Sequence, residues 1–582
     1  MIPHLPLRDL SRLHLRQLPR ELLAALAVTS LTVPQSVAYA MIAGLPPATG
    51  LYASALPAIV GSLTISSRHL IVGPTNSVSL LVGSAIALSS DDPLRTAITL
   101  AALTGALQLT AGLLRLGSMV DYISQAVVLG YITGAGVLIG AGQLQHATRS
   151  PAGSGHLGSQ LLGWLGQLDQ AHLPTVALTA ATALGIVALR RTMPQQPATL
   201  WAMLLGTLAS WSLQLGDRGL RLVGDLAPVP SGLPTLSLPD PTLASALLPT
   251  AFAAMLLSLV EASSVARALA SRSGQRLDTS TDFVGLGLAN LTAAFTTAYP
   301  VSGSLTRSVL NERIGASSRL AGALGGLLVL GVLLALGPLL NLTPIASLAG
   351  ILLVMAADLV DVARIREVMA ANVGDWLAFL TTLVATWLLP LDQAILLGVG
   401  ISIVTFLRRV RHLVVRELVI DRHGHLRERD EQGTYLSSPA VKVLHVQGTL
   451  FFGAANELRD AIDDAMRDPA AKVLVLRLKR TQGMDLTAAS VLLAADRALE
   501  SRGQHLVLVG VVPHAMQLLE RTGIADEIGR DGLFPSQPGW FTAMDAGLSR
   551  AVELAGTPAD CPLRHYLAQR ELERGPLAAA AS

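Results

Sequence analysis

Two stretches decide how this chain folds: VGPTNSVSLLVGSAIAL, from Val72 to Leu88, and YPVSGSLTRSVLNERIG, from Tyr299 to Gly315. The first enters through Gly73-Pro74 and sets Thr75, Asn76, Ser77 and Ser79 ahead of an apolar run. The second enters through Pro300 and Gly303, then offers Ser304, Thr306 and the charged Arg307. Each reads as a short helix whose polar N-terminus lies inside the protein. A helix start carries unpaired N–H groups and partial positive charge, so it stabilises an anion without requiring a basic side chain. Two such starts, one in each half of a long apolar chain, point to an inverted-repeat transporter with a central site. Packed helices kinked by glycine and proline would leave the same local pattern, and that reading stays open at this point.

The surroundings of both stretches are those of a membrane protein. Of 582 residues, 51% are hydrophobic and 14% charged, against roughly 25% charged in soluble globular chains. Mean hydropathy is +0.52. No Asp, Glu, Lys, Arg or His occurs between Glu21 and Arg68, and the first lysine is Lys442. The 42 basic and 40 acidic side chains leave a formal charge of +2, so no global field points to a nucleic-acid partner. Cys561 is the only cysteine and cannot form an intramolecular disulfide. The 13 histidines form no ligand cluster, so neither a metal nor another cofactor is expected. The first apolar run carries Pro34, continues too far for a secretory leader and is followed by many others.

Inside lipid the backbone must satisfy its own hydrogen bonds, so the apolar runs read as helices. They fall at 22–43, 51–66, 75–88, 96–114, 120–142, 172–190, 200–215, 244–266, 283–298, 304–313, 317–337, 344–360, 375–390 and 393–408. An even count of fourteen puts both ends on one side of the membrane. Arg8, Arg12, Arg16 and Arg20 precede the first run, and Arg408, Arg409, Arg411 and Arg416 follow the last, which makes that side cytoplasmic. Re-entrant short segments are the alternative. Arg307, just inside a helix start, needs an ion pair, water or an anion. Glu261, in LLSLVEASSVARAL, is the first partner to test. Unpaired, that carboxylate would tend to take up a proton and could couple transport to protonation, or it could help hold a cation. The Arg364–Arg366–Glu367 cluster reads as a cytoplasmic loop, and Asn290 and Asn311 as helix-to-helix hydrogen-bond formers.

Several long motifs now occur in order: TVPQSVAYAMIAGLPPATGLYAS from Thr32, VGPTNSVSLLVG from Val72, LVEASSVARALASRSG from Leu259, DFVGLGLANLTAAFTTAYPVSGSLTRSVLN from Asp282 and LDQAILLGVGIS from Leu391. With them the chain resembles bacterial members of the sulfate permease (SulP) family of anion transporters over almost its full length. The resemblance implies a polytopic α-helical membrane protein with 14 segments in a 7+7 inverted repeat, divided into core and gate domains. It implies a substrate held between the third and tenth segments, at Thr75, Asn76 and Ser77 and at Gly303, Ser304 and Leu305 with Arg307. Gln35 and Tyr39 of the first segment and Glu261 of the eighth stand close by. It also implies a homodimer that moves its core past the gate as an elevator.

The polar stretch DRHGHLRERDEQGT from Asp421 precedes three strand-to-helix patterns, VKVLHVQGTLFFGAANELRDAIDDAM, AKVLVLRLKRTQGMDLTAASVLLAADRALESRG and QHLVLVGVVPHAMQLLERTG. They describe a small cytoplasmic α/β domain that resembles the STAS domain of the same family. Thr487, at the junction Met484-Asp485-Leu486-Thr487, aligns with the residue phosphorylated in stand-alone relatives. Asp485 and Thr487 are also ordinary helix-capping choices, and Ala488 stands where those relatives carry glycine. The expected division is 1–21 as a cytoplasmic N-terminal segment, 22–410 as the transporter domain, 411–435 as a linker, 436–550 as the STAS domain and 551–582 as a tail.

The expected function is secondary active transport of a small anion (sulfate, bicarbonate or a dicarboxylate) across a bacterial inner membrane. Lipid and a cytoplasmic protein bound through the STAS domain are the further partners, and no enzymatic site is expected. Protons are favoured over sodium as the coupling ion, because Glu261 and Ser304 only partly reproduce the sodium-coupled bicarbonate arrangement of the family. A sodium-coupled bicarbonate symporter, an uncoupled anion channel and a membrane-anchored STAS signalling protein are the competing readings.

Overall fold

The computed structural model describes residues 18–89, 92–151, 157–194, 196–430, 435–436, 438–539 and 541–579. Arg8, Arg12 and Arg16 lie outside them. The chain forms two compact units, Met1–Ile403 and Val404–Ser582.

Helix occupies the stretches read above as apolar segments, with two exceptions in form: the run at 120–142 begins in the 3-10 turn Leu116–Tyr122 and its α-helix starts only at Gln125, and the run at 51–66 is divided. The run at 51–66 is two helices, Pro47–Ser54 and Leu56–Thr64, broken at Ala55. Pro57 has no N–H to return to residue 53, so the ladder stops there and restarts with proline in its first turn. Among the described residues eight helices are long and apolar enough to cross a membrane. The elements that build the centre are α1 Leu18–Ile42, strand β1 Ile71–Gly73, α2 Asn76–Leu88, α3 Pro93–Leu113 and α4 Gln125–Thr148, then α5 Ala244–Ser273, α6 Thr279–Phe295, strand β2 Ser302–Ser304 and α7 Leu305–Arg313. The Arg364–Arg366–Glu367 cluster, expected in a loop, belongs to the helix Val362–Ala371, which Asp361 caps through the amides of Ala363 and Arg364.

Glycine sets the closest approach in this unit. A Cβ on Gly105 of α3 would stand 2.8 Å from Leu291 N and 2.9 Å from Gly287 O, and one on Gly287 of α6 would stand 2.9 Å from Gly105 O. The backbones of α3 and α6 therefore touch, as helices in lipid do where small residues face each other. At the start of α1, Glu21 is fully buried and accepts hydrogen bonds from Ser317 N at 2.9 Å and Ser317 Oγ at 2.7 Å.

In the second unit a sheet runs in the order β4-β3-β6-β7-β8-β9, with the short β5 beside β3. The strands are β3 Val414–Asp421, β4 Leu426–Glu428, β5 Tyr435–Leu436, β6 Val441–Leu450, β7 Val473–Met484, β8 His505–Val511 and β9 Leu533–Pro535. β6 to β9 are parallel and linked by helices, so the middle strands are covered on both faces and VLVL of β7 is buried throughout. The segment 411–435, expected as a linker, holds the hairpin β3–β4, and β3 pairs antiparallel with β6. Its turn is built on Gly424 at φ +82, a conformation that glycine adopts without strain. Beyond 550, Ala551, Val552, Ala555, Leu563 and Tyr566 join the core on one face of the sheet, so the unit extends into the expected tail. Asp485 caps the helix Leu486–Glu500 through Ala488 N at 2.9 Å and also accepts from Phe452 N at 2.7 Å. Thr487 is exposed in its first turn.

Candidate functional site

β1 and β2 pair antiparallel, Ile71 opposite Ser304, Val72 opposite Gly303 and Gly73 opposite Ser302. Each strand feeds a short helix, β1 into α2 and β2 into α7. The two helix starts therefore come together from opposite directions, and the pair of strands satisfies backbone groups that no continuous helix serves. Gly303 makes the crossing possible: a Cβ there would stand 2.9 Å from Ala262 Cα of α5.

Polar side chains hold both strands, the first from the other half of the chain and the second from its own half. From α7, Ser308 Oγ accepts from Ile71 N at 2.8 Å, Asn311 Nδ2 donates to His69 O at 3.2 Å, and Arg307 Nη2 donates to Pro74 O. All three side chains are fully buried. On the second strand, Asn290 of α6 accepts from Val301 N at 2.7 Å and donates to Val301 O at 3.1 Å and to Gln108 Oε1 at 2.8 Å. Gln108 in turn donates to Ser258 Oγ at 2.9 Å, and Ser302 Oγ donates to Ser258 O at 3.2 Å. Asn290 and Asn311 thus act as the structural hydrogen-bond formers that their setting in apolar sequence suggests.

Arg307 is where the accounting fails to close. Its guanidinium lies against β1, with Nη1 2.6 Å from where a Cβ on Gly73 would stand. Nη2 has Pro74 O, yet Nε and Nη1 have no hydrogen-bond partner among the described residues. The ion pair with Glu261 offered as an alternative is not formed. Glu261 instead accepts from Thr75 Oγ1 at 3.3 Å, and the hydroxyls of Ser77 and Ser302 are its next polar neighbours. The α7 start is also open, because Ser304 makes no capping bond, whereas at α2 Thr75 and Asn76 accept from the amides of Val78 and Ser77.

Around these groups stand three tyrosines. Tyr39 and Tyr299 are close enough to interact electrostatically with Arg307, and Tyr39 and Tyr131 with Glu261. Tyr131 of α4 donates to Ser77 O at 3.1 Å, and Ser79 Oγ donates to Tyr299 OH at 3.2 Å. Gln35, one turn before Tyr39 on α1, is buried with Oε1 unpartnered. Thr75, Ser77, Tyr39, Glu261 and Arg307 therefore share one region, with Gly303 and Ser304 in the strand beside it, while Leu305 is exposed at the first position of α7. Tyr131, Tyr299 and Ser302 were not singled out from the sequence. The available signal was a polar-tipped ring inside an uncharged run, VVLGYITGAG, and another directly before Pro300.

The pattern of the sulfate permease family matches residues 18–382, and that of the STAS domain matches residues 435–537. The chain belongs to the sulfate permease family. Among related permeases, a protein named probable sulfate transporter from Mycobacterium tuberculosis is 29% identical over 532 residues, covering 90% of this chain and 94% of its own. Human solute carrier family 26 member 6 is 31% identical over 492 residues, 79% of this chain and 63% of that one. The structure of the murine solute carrier 26 family member A9 anion transporter superposes with a TM-score of 0.85 at 19% identity, over 95% of this permease and 94% of that chain. The transmembrane domain of a cyanobacterial bicarbonate transporter, BicA, gives 0.57 at 22% identity over 67% of this chain and 98% of its own. The permease is thus a multi-span α-helical membrane transporter with a C-terminal STAS domain, and not an enzyme.

Proposed function

We propose that this permease is a secondary active transporter whose small anion is held between the opposed starts of α2 and α7. The observation that carries the reading is the fully buried Arg307, with two donors unpartnered, beside the open start of α7. Such donors are costly to leave unmade, and an anion at the crossing would meet them together with the helix-terminal amides. Thr75, Asn76, Ser77, Gly303, Ser304 and Leu305 would line its seat, with Gln35 and Tyr39 closing it from α1. Fourteen segments in a 7+7 inverted repeat agree with the antiparallel crossing, since inversion brings equivalent half-helices in from opposite sides. Elevator movement of a core against a gate, a homodimer and an inner-membrane location with both termini cytoplasmic complete the reading. The transporter domain is placed at 22–410 and the STAS domain beyond it, with a partner contact or a modification at the exposed Thr487 as its regulatory handle.

Sulfate, bicarbonate or a dicarboxylate is the substrate class, and Glu261 is the coupling group. Its place in an apolar helix, with no ion pair among the described residues, suits a protonated carboxyl, whereas its three hydroxyl neighbours, which can donate to a carboxylate or stand beside a sodium ion on it, keep a sodium-coupled symporter as the second reading. The test is counterflow in proteoliposomes with sulfate, bicarbonate, fumarate and chloride at several pH values, with and without sodium. At least one anion is expected to be driven by an inward proton gradient without sodium. Arg307→Ala should cut that uptake by about tenfold or more, the loss of one or two charge-assisted hydrogen bonds. Glu261→Gln should keep counterflow and lose its response to the proton gradient. If none of the four anions moves under any gradient, the transporter reading fails.

A further inference from the structure

Away from the crossing, a cavity of about 270 Å³ opens at the C-terminal end of α4, and no residue of β1, α2, β2 or α7 lines it. Its walls come from residues 145–151, the 220–221 turn and the starts of two further helices, Leu173–Thr192 and Ile345–Asp358. Arg149, Arg221 and His146 all line it, and among the described residues no carboxylate does. Arg149 reaches Gly219 O through Nη1, which fixes its guanidinium at the rim. The Arg221 side chain has no hydrogen bond or ion pair among the described residues, although its backbone is pinned by Ile345 N at 3.0 Å. Ser150 also lines the cavity, buried and with Oγ unpartnered.

Two helix starts add to this charge. Ile345 and Ala346 are the first two residues of one lining helix and Thr175 is the third of the other, so the partial positive ends of both lie at the cavity wall, with the amides of Ile345 and Thr175 bonded to Arg221 O and His172 O. Two arginines, a histidine and two helix starts around one cavity favour an anion between them. We propose that this cavity is a second anion site, separate from the central one, that takes a tetrahedral oxyanion: free sulfate or phosphate, or the phosphate of an anionic lipid headgroup. Its walls belong to elements other than the two discontinuous strand–helix units, so the site is occupied whether or not the central site is.

The test is saturation binding of radiolabelled sulfate to the purified full-length chain, as wild type, as Arg307→Gln and as Arg221→Gln/His146→Gln. It is run in a neutral detergent and again in nanodiscs of phosphatidylcholine with and without phosphatidylglycerol. Arg221 and His146 are chosen because neither anchors the fold, and each variant is checked for a monodisperse elution profile and an unchanged melting temperature without anion. A sulfate-binding component that survives Arg307→Gln and weakens at least about tenfold in Arg221→Gln/His146→Gln is expected. Where the source is lipid, phosphatidylglycerol suppresses that component in wild type, and copurifying phosphatidylglycerol falls in the double variant. Isotherms of the double variant and wild type that coincide, with equal retained lipid, would overturn the proposal. So would the absence of saturable sulfate binding and of bound anionic lipid in wild type. Neither result depends on transport, so the central-site reading stands or falls separately.

Discussion

Single residues in this permease carry costs that composition hides. In the STAS unit Asp496 is 3% exposed with Oδ2 unpartnered, and burial, helped by the nearby Glu500 carboxylate, pushes its carboxyl up to about 6. The folded state then holds a proton that the unfolded chain releases near its ordinary value, so stability falls as pH rises from about 4 to about 6 and stays lower above it. Asp496→Asn removes that dependence. The variant is expected to gain about 2–3 kcal/mol at pH 7.5 and little at pH 4. Hydrogen exchange of the Leu486–Glu500 helix in the full chain, corrected for intrinsic rates at the two pH values, reads the difference. Equal protection of the two proteins at pH 7.5 would contradict it. Arg307 is the opposite case, a buried charge whose unmade bonds point to a ligand instead of to neutralisation.

At the scale of elements, the crossing of β1 and β2 is the device that holds two half-helices at mid-chain. It depends on close approach, which is why glycine occupies Gly73 and Gly303. In Gly303→Ala the added methyl would meet Ala262 Cα at 2.9 Å and Cβ at 3.0 Å, and backbone cannot rotate away as a side chain can. Destabilisation of about 1–3 kcal/mol is expected, together with loss of uptake that exceeds the loss of folded protein. A thermal melt and initial-rate uptake on the same preparation separate the two, and wild-type values for both would refute the close-packed crossing. The same logic applies to Asn290, whose amide serves Val301 N, Val301 O and Gln108 at once.

For the whole molecule, every hydrogen bond of the crossing lies inside the first unit, Met1–Ile403. A chain ended after Arg411 is therefore expected to keep the anion-dependent rise in melting temperature of the full-length permease, even where assembly or regulation changes. Loss of that rise in a folded truncated chain would show that the central site needs the second unit. Much of this organisation is legible along the chain. The absence of charge between Glu21 and Arg68 places the body in lipid, Gly73-Pro74 and Pro300 mark the interrupted segments, and the alternation of strand and helix patterns marks the STAS unit. These are local properties, written in hydropathy, proline's missing N–H and helix-terminal polarity, and they need no knowledge of what packs where. The pairing of Ile71 with Ser304, the hydroxyl of Thr75 on Glu261, the unpartnered donors of Arg307 and the gathering of Arg149, Arg221 and His146 are different in kind. They join residues dozens to hundreds of positions apart, and a side chain's partner is set by which backbones come within reach, which hydropathy and spacing do not encode.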